Sequence, residues 1–354
     1  MEKVEVLKKF LNKGLQLDFE SLEFFSKSPD EIEQFFQKIS TENRPTTVTM
    51  SFINEVVNKH GEGLRILKTP KQVKNTLSVD DISQILNKRY NFLKKILSAR
   101  IDLVNLISIN KITPKVKRFS AIILIKEKFD DEKAVFGEDD TGEYKFFLKH
   151  DYDFEQILQD DVIGIICEND ERVKVEKIIW PDIPMKREIN KTKEDFFVSI
   201  SNYKETVNEP AEGRNEIKQK ILLEKGHIKI SSDTFDFPLT AEINQGNQEN
   251  NGVVFLFMDS CFLKKYSEFE KDELTFIISL LKRRNLDPTF QFNQAIFVND
   301  PFIVDTIPDI FVIFGSMKST NTNYKGTTII TIPHLETEKA AWMVNLKTRV
   351  VKKL

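Results

Sequence analysis

The sequence predicts an α+β fold with several domains, in which a helical opening precedes a small β-barrel and an α/β sandwich. The 354 residues exceed what one ordinary hydrophobic core accommodates. Apolar residues recur at helical spacing near the start, whereas short runs rich in Ile, Val and Phe dominate after Ile107. The predicted boundaries are 1–40 for a helical module, 41–78 for a linker, 79–184 for the barrel with its leading helix, and 185–354 for the sandwich.

Composition excludes several classes of protein. Hydrophobic residues make up 40% and charged residues 30% of the chain, which is the balance of a soluble globular protein. No run approaches the roughly 18 apolar residues of a membrane span, and MEKVEVLKKFLNKG lacks the apolar core of a signal peptide. We therefore expect a cytoplasmic protein without a membrane partner. Cys167 and Cys261 form no CxxC pair, which excludes a cysteine-based zinc site and a disulfide framework.

The helical module is predicted from one apolar stripe and two helix caps. Asp18 and Asp30 each precede a short run with an apolar face, which is typical of N-cap residues. The first helix carries apolar side chains at helical spacing, namely Val4, Leu7, Leu11 and Leu15. Residues 41–78 have weaker periodicity, with proline and glycine among many polar residues, and predict a linker with one strand at TTVTM.

The next segment predicts a barrel. Ser78 precedes the amphipathic stretch VDDISQILNKRYNFLKKIL, which predicts the leading helix. Four strands are predicted after it, at RFSAIILIKEK, YKFFLKH, VIGIICEN and VKVEKIIW. EDDTGE has the chemistry of a hairpin turn, and DFEQILQ resembles a short intervening helix. An OB-fold is the usual barrel of this size and element order.

From about residue 190 the elements alternate between strand and helix. Strands are predicted at FFVSIS, HIKIS and VVFLFM, and helices at NEIKQKILLEKG and EKDELTFIISLLKRRNL. The end of the chain is rich in strands, including DIFVIFG and GTTIITI. This order indicates a two-layer or sandwich-type α/β domain.

Several segments, taken in order, resemble one family across nearly the whole chain. They are LKKFLNKGLQLDFESLEFFSKS, LNKRYNFLKKILSAR, EDDTGE, DDVIGIICE, IIWPDIP, LLKRRNLDPTF and TIPDIFVIFG. They are similar to segments of the small subunit of the archaeal family-D DNA polymerase, which is related to the B-subunits of eukaryotic replicative polymerases. The resemblance implies an OB-fold followed by a calcineurin-like phosphoesterase domain, here shortened. It implies as partners a large catalytic subunit, primer-template DNA reached through the complex, and a sliding clamp.

The departures from this family concern its metal ligands. Active members end the first phosphoesterase strand with Asp-x-His, where this chain has Asn202 and Lys204. Met258 stands where a Tyr-His-Gly strand end has its histidine. Ser316 and Lys318 replace both histidines of a Gly-His-x-His motif, and the Gly-Asn-His-Asp motif has no counterpart. The resemblance therefore implies a degenerate member without catalytic residues.

One acidic pair remains. SDTFDF is similar to the family's Gly-Asp-x-x-Asp-Gly motif and keeps carboxylates at Asp233 and Asp236. Two-metal phosphoesterases hold their ions about 3.5–4 Å apart, and an ammonium about 4 Å from such an ion costs on the order of 4 kcal/mol. Two carboxylates are too few to offset that repulsion. We expect no cofactor, with Mn²⁺ or Mg²⁺ bound only if nuclease activity persists, and we interpret the pair as a solvated turn or cap.

Two further groups have both a functional and a structural interpretation. One is a basic triplet that could contact DNA phosphates but is predicted to complement a helix C-terminus: Lys282, Arg283 and Arg284. The other is an aromatic run that could stack on single-stranded bases but is more typical of a barrel core or partner interface: Tyr144, Phe146 and Phe147. His150 and His227 stand alone and are predicted to be structural.

Three functions are compatible with the sequence. The first is a non-catalytic scaffold subunit of a heterodimeric replicative polymerase, which binds and stabilises the large subunit. The second is an active metal-dependent 3′–5′ proofreading exonuclease, as in intact members of the resembled family. The third is a free-standing binder of single-stranded DNA that uses the barrel at 79–184. With a net charge of −3, any contact with DNA must be local or come through a partner.

Overall fold

The computed structural model has a mixed α+β architecture with few helices and several sheets among its described residues, as the sequence predicts. The described residues are 3–27, 32–33, 35–36, 39, 45, 47–49, 63–70, 72–74, 78–203, 221–224, 227–231, 237–244, 252–266, 271–289, 296–297 and 300–354. No helix among them is long and apolar enough to cross a membrane.

The opening module has its own apolar core. Helices α1 (Lys3–Leu11) and α2 (Phe19–Lys27) accompany a short parallel pair, β1 (Gln16–Leu17) and β2 (Thr47–Val48). Its core consists of Val6, Phe10, Leu15, Phe25, Ile32, Phe35 and Val48.

The module corrects one prediction and confirms another. The stripe predicted for α1 is wrong at Val4 and Leu11, which are both 58% exposed, whereas Leu15 lies in the core as predicted. Phe10, which the stripe omits, is buried among aromatic rings. The cap at Asp18 is confirmed, since its carboxylate accepts a hydrogen bond from the backbone nitrogen of Ser21 at 2.8 Å. The cap predicted at Asp30 lies outside the described residues.

The segment 41–78, predicted as a linker, contributes strands to the fold. β2 lies within TTVTM, where the sequence predicts a strand. β3 (Gly63–Lys68) joins the edge of a large sheet, and β4 (Gln72–Lys74) pairs with a short strand far along the chain. Backbone pairing with a distant strand is tertiary information, which the weak periodicity of this segment does not carry.

A long helix leads into the barrel. Helix α3 (Val79–Ser98) begins at Ser78, as predicted, with a capping box in which Ser78 and Asp81 bond each other's backbone. Its buried face carries Arg89, Tyr90, Leu93 and Leu97 and lies against the barrel strands.

The barrel has five strands and is closed. Its strands are β5 (Arg118–Phe129), β6 (Ala134–Asp139), β7 (Gly142–Leu148), β8 (Val162–Asn169) and β9 (Val173–Ile179). The order around the barrel is β5-β6-β7-β9-β8, with β8 pairing back to β5. A short helix, α4 (Asp151–Gln156), lies between β7 and β8, so the first three strands form a meander and the last two exchange places.

Two sheets form the second body. The five-stranded sheet has the order β11-β12-β10-β19-β20, and the six-stranded sheet has the order β17-β18-β16-β14-β13-β3. Their strands are β10 (Phe197–Ser201), β11 (Ile221–Glu224), β12 (His227–Ser231), β13 (Leu239–Asn244), β14 (Val253–Asp259), β15 (Ile296–Phe297), β16 (Ile310–Ser316), β17 (Thr320–Tyr324), β18 (Thr327–Pro333), β19 (Ala341–Asn345) and β20 (Val351–Lys353). Of these, β15 lies outside both sheets and pairs with β4.

The two sheets enclose one core, and a helix covers a second. Alternate residues of β10, β14, β16, β18 and β19 meet in the first cluster, which includes Val198, Phe257 and Val312. Helix α5 (Glu273–Arg283) packs on the opposite face of the six-stranded sheet through Ile277 and Leu280. The described arrangement is therefore a sheet-on-sheet sandwich with one helix outside it.

One predicted helix in this region is wrong. The segment NEIKQKILLEKG contains β11 rather than a helix in its described part, and the rest of it lies outside the described residues. β11 pairs with β12 so that Ile221 lies opposite Ile230 and Leu223 opposite Ile228. Backbone pairing with β12 therefore overrides the helix-forming Lys, Gln and Leu of this segment.

Candidate functional site at the carboxyl ends of the sandwich strands

The residues that the resemblance assigns to lost metal ligands lie at one edge of the sandwich. Strands β14, β16 and β18 are parallel neighbours, so their carboxyl ends meet along the same border. β10 of the facing sheet also ends there, because Asn202 just after it bonds the backbone of Pro333 at the end of β18. This edge is the candidate functional site.

Asn202 is buried, and its side-chain amide both donates and accepts hydrogen bonds. Its Nδ2 donates to the carbonyl oxygens of Pro333 at 2.8 Å and Glu338 at 2.7 Å. Its Oδ1 accepts from the backbone nitrogen of Ala340 at 3.1 Å. An amide can donate and accept at once, so this side chain joins three chain segments through its hydrogen bonds.

Met258 does not reach the edge. Phe255 and Phe257 of β14 face the core between the sheets, so the alternate residues Leu256 and Met258 face the other way. The thioether of Met258 is fully buried in the cluster beneath α5. Lys204 lies outside the described residues.

The loop after β16 is held by side chains that bond backbone atoms. Ser316 is buried and donates from Oγ to the carbonyl oxygen of Lys318 at 3.0 Å, whereas the Lys318 side chain is exposed. The carboxylate of Glu273 accepts from the backbone nitrogen of Met317 at 3.0 Å and 3.2 Å. Burial raises the pKa of Glu273, and these backbone hydrogen bonds oppose that rise. The loop is therefore closed by internal bonds.

A second group at this edge was not identified from the sequence. Ser260 follows β14 and donates from Oγ to the carbonyl oxygen of Gly315 at 2.5 Å. Gly315 has φ +73°, and a Cβ there would lie 2.7 Å from Cε1 of His334. Only glycine combines this backbone conformation with so close an approach. Ser260 and His334 directly follow the buried runs VVFLFMD and TTIITIP, a position in the sequence from which they could have been found.

The described residues at the edge do not fit a two-metal centre. Within the part of the chain that the structure describes, no group of three or more His, Cys, Asp and Glu side chains is arranged to hold a metal ion. Asp233 and Asp236 lie outside that part. The chemistry that the described edge supports is hydrogen bonding that links loops, since its amide and hydroxyl groups are already engaged with backbone atoms.

The basic triplet lies at the end of α5, as predicted, but two of its members are interior. Arg283 is 5% exposed, and its Nε bonds the carboxylate of Asp161 at 2.9 Å while its guanidinium lies 4.6 Å from the Trp180 ring centroid. Arg284 is the helix C-cap, with φ 54°, and donates to the carbonyl oxygens of Val304 and Asp305. Both guanidiniums are therefore committed to internal acceptors, which favours the structural interpretation of the triplet, and its contact with DNA phosphates stays a prediction.

The remaining candidate residues are Lys282 of the basic triplet and the two isolated histidines, His150 and His227. Lys282 is half-buried, and its carbonyl oxygen accepts from the backbone nitrogen of Asp182 at 2.7 Å. His150 is exposed and precedes α4 without capping it through its side chain. His227 begins β12, where its backbone lies opposite Phe197.

The aromatic run divides between the two faces of β7. Phe146 is fully buried in the barrel core, and Tyr144 lies on the same side with its ring centroid 5.3 Å away. Phe147 points outward and is half-buried, with Arg172 stacked 4.7 Å from its ring centroid. Stacking on bases is therefore wrong for Phe146, which has no face available to a ligand.

Comparison with known proteins adds no further constraint to this geometry. No protein-family model matches the chain, and no curated protein matches it.

Proposed function

We propose that this chain is a non-catalytic scaffold subunit of a heterodimeric DNA polymerase, in the manner of the family-D small subunit that its sequence resembles. Its role is to bind and stabilise a large catalytic subunit. The observation that carries the proposal is the edge at Asn202, Ser260 and Ser316, where side chains bond loop backbones in place of metal ions.

The barrel supports the first half of the resemblance. Its strand order, with a three-stranded meander, a helix, and two strands that exchange places, is the order expected of an OB-fold. We propose that residues 79–184 are that domain. The leading helix α3 packs on its strands through Leu93 and Leu97, which matches the order of segments in the resembled family.

The sandwich supports the second half. Two sheets packed face to face, with a helix outside one of them, suit a reduced calcineurin-like domain in residues 185–354. We propose that the carboxyl-end border of this domain once bound metal and now serves to join loops. Amide and hydroxyl groups that are satisfied by backbone atoms stabilise such a border without any ion.

A scaffold requires its two bodies to hold a fixed relation, and buried contacts between them support this. Arg283 of α5 bonds Asp161 of the barrel, with both side chains nearly inaccessible. Arg89 of α3 bonds Asp300 and donates to the carbonyl oxygen of Asp287 at 2.9 Å. Directional, buried bonds of this kind fix a single orientation, which is the property of a platform for a partner.

Co-expression tests the proposal directly. We expect the chain to co-purify in one complex with a family-D large subunit from the same genome, and to be less soluble when expressed alone. The physical reason is that an interface surface left without its partner exposes apolar area. Size-exclusion chromatography with light scattering measures the complex. A chain that is soluble, monomeric and indifferent to the large subunit contradicts the proposal.

The nuclease alternative has its own test. We expect no degradation of a mismatched primer-template by the purified chain in Mn²⁺, because no group of three or more ligand side chains is arranged to hold an ion among the described residues. A labelled primer resolved on a denaturing gel measures this. Manganese-dependent shortening that disappears in the double variant Asp233→Ala with Asp236→Ala would establish the exonuclease instead. A variant with Asp130→Ala and Asp131→Ala, on the barrel, serves as the matched control.

A further inference from the structure

A cavity of about 580 Å³ lies where the leading helix α3 meets the edge of the six-stranded sheet. Its first wall is a stripe of α3 at positions i, i+3, i+4 and i+7, which share one face of a helix: Ile85, Lys88, Arg89 and Phe92. Its other walls are the end of β3 with the adjoining start of β13, and the loop 300–306. None of the residues described at the candidate edge lines it, so the cavity is a separate feature of the fold.

The walls of this cavity are bonded to one another. Nζ of Lys68, on β3, donates to the carbonyl oxygen of Ile303 at 2.8 Å and lies 3.3 Å from the carboxylate of Asp305. The guanidinium of Arg89, on α3, makes a two-pronged bond with the carboxylate of Asp300 at 2.5 Å and 3.2 Å. Both sets of bonds end on the loop 300–306, so they hold the three walls at a fixed separation. A pre-formed cavity of this volume is typical of a small-molecule site.

A β-bulge directs one apolar side chain into the cavity. Lys68 pairs with Thr240 and Ile66 pairs with Ala241, which leaves Leu67 as the extra residue on β3. A bulge re-aims the side chains of its strand, and Leu67 lines the cavity while 39% exposed. Ile66 is equally exposed but lies opposite Ala241 of the core between the sheets, and it does not line the cavity.

The cavity offers an apolar surface of useful size. Leu67, Ile85, Phe92 and Ile303 contribute it, with Ile303 buried and the ring of Phe92 half-buried. An apolar cavity of about 150 Å³ holds one benzene ring. The larger volume here therefore has room for an apolar body of two fused rings, whose transfer out of water favours binding.

The charges that line the cavity leave one cation without a partner. Two carboxylates and three cations line it. Asp305 pairs with Lys68, and Asp300 pairs with Arg89. Lys88 is exposed, and within the described part of the chain no carboxylate lies within ion-pair distance of it. The lining therefore carries one net positive charge, placed beside the apolar surface.

We propose that this cavity binds a small apolar carboxylate. The apolar body lies against Leu67, Ile85 and Phe92, and the carboxylate pairs with the ammonium of Lys88. The site shares no residue with the sandwich border and does not depend on the scaffold role. Loss of ligand binding therefore leaves the association with a large subunit untouched, and the reverse also holds.

Isothermal titration calorimetry of the full-length chain with 2-naphthoate tests the site, because this probe joins two fused rings to one carboxylate. We expect one binding site with a dissociation constant of about 0.1–1 mM at low salt. The neutral analogue 2-naphthamide keeps the rings and is expected to bind about threefold to fivefold more weakly, from the loss of one exposed ion pair. The cationic analogue 2-naphthylmethylamine is expected to bind more weakly still, since Lys88 repels it.

Two variants separate the charge from the apolar surface. Lys88→Gln is expected to weaken 2-naphthoate about threefold to fivefold and to leave 2-naphthamide unchanged, because the amide has no charge to lose. Leu67→Ala is expected to weaken both probes about fivefold, since it removes apolar contact area. Thermal unfolding checks that each variant folds. Lys88 is exposed, so Lys88→Gln keeps the test decisive even if Leu67→Ala does not fold.

Each variant has a matched control that does not line the cavity. Lys95 is an exposed lysine on the same helix, and Ile66 is the equally exposed neighbour of Leu67. Lys95→Gln and Ile66→Ala are expected to leave both affinities unchanged. Four results would overturn the site: no binding of 2-naphthoate, equal or tighter binding of the amide or the amine, unchanged 2-naphthoate affinity in Lys88→Gln, or equal losses in the control variants.

Discussion

Replacing Arg283 with alanine is expected to lower the free energy of unfolding by about 3–5 kcal/mol, because it leaves a buried carboxylate without its cation. Asp161 and Arg283 have side chains only 2% and 5% exposed, and they join the barrel to the sandwich helix. The same guanidinium also donates to the carbonyl oxygen of Gln156 and stacks on Trp180. Urea denaturation followed by far-UV circular dichroism measures the loss.

An exposed ion pair serves as the control for Arg283. Lys353 bonds Glu338 at 2.6 Å with both side chains more than 40% exposed, and such pairs contribute about 0–1 kcal/mol. Lys353→Ala should therefore leave the unfolding midpoint nearly unchanged. If Arg283→Ala and Lys353→Ala had equal effects, the buried contact would not stabilise the junction between the two bodies.

Asn202→Asp is expected to be the second most damaging change, with a loss of about 3 kcal/mol or more near neutral pH. The substitution keeps the shape of the side chain but exchanges the donor that bonds Pro333 and Glu338 for an oxygen. An ionised carboxylate would then face two carbonyl oxygens in a buried position. Chemical denaturation of both proteins across a range of pH measures the effect.

The pH dependence of this variant has a definite sign. Burial and the facing carbonyl oxygens raise the pKa of the new carboxyl above its ordinary value of about 3.9. A raised folded-state pKa means that stability is retained below the ordinary value and lost as pH rises through the folded-state pKa. The deficit of Asn202→Asp should therefore be smallest near pH 4, where the protonated carboxyl still donates one of the two hydrogen bonds, and largest near pH 8.

Asn321→Asp provides the control, because Asn321 is an exposed residue on the edge strand β17. It should be as stable as the parent chain at every pH tested. A deficit in Asn202→Asp that does not change with pH would indicate that a charge at position 202 is not the cause. The expected deficit also means that a carboxylate cannot be restored at the candidate border without reworking the loops bonded to Asn202.

Local patterning was sufficient for much of the fold. The cap at Ser78, the barrel strands and the apolar face of α5 follow from helix capping and from the period of apolar residues, which depend only on neighbours in sequence. The helix predicted near Ile221 is wrong because the backbone of β11 pairs with that of β12. β3 was not predicted either, because its pairing partner β13 lies more than 170 residues later in the chain.

The sequence alone predicted that an amide, a thioether and a hydroxyl stand where the resembled family has metal ligands, because the ability to bind a metal is set by the residue type. What those side chains do instead depended on the packing of distant strands: Asn202 bonds the end of β18, and Met258 turns away beneath α5. The interior place of Arg283 and the outward place of Phe147 likewise follow from which elements meet in space. A side chain's type fixes the bonds it can make, and only tertiary contacts select the partner.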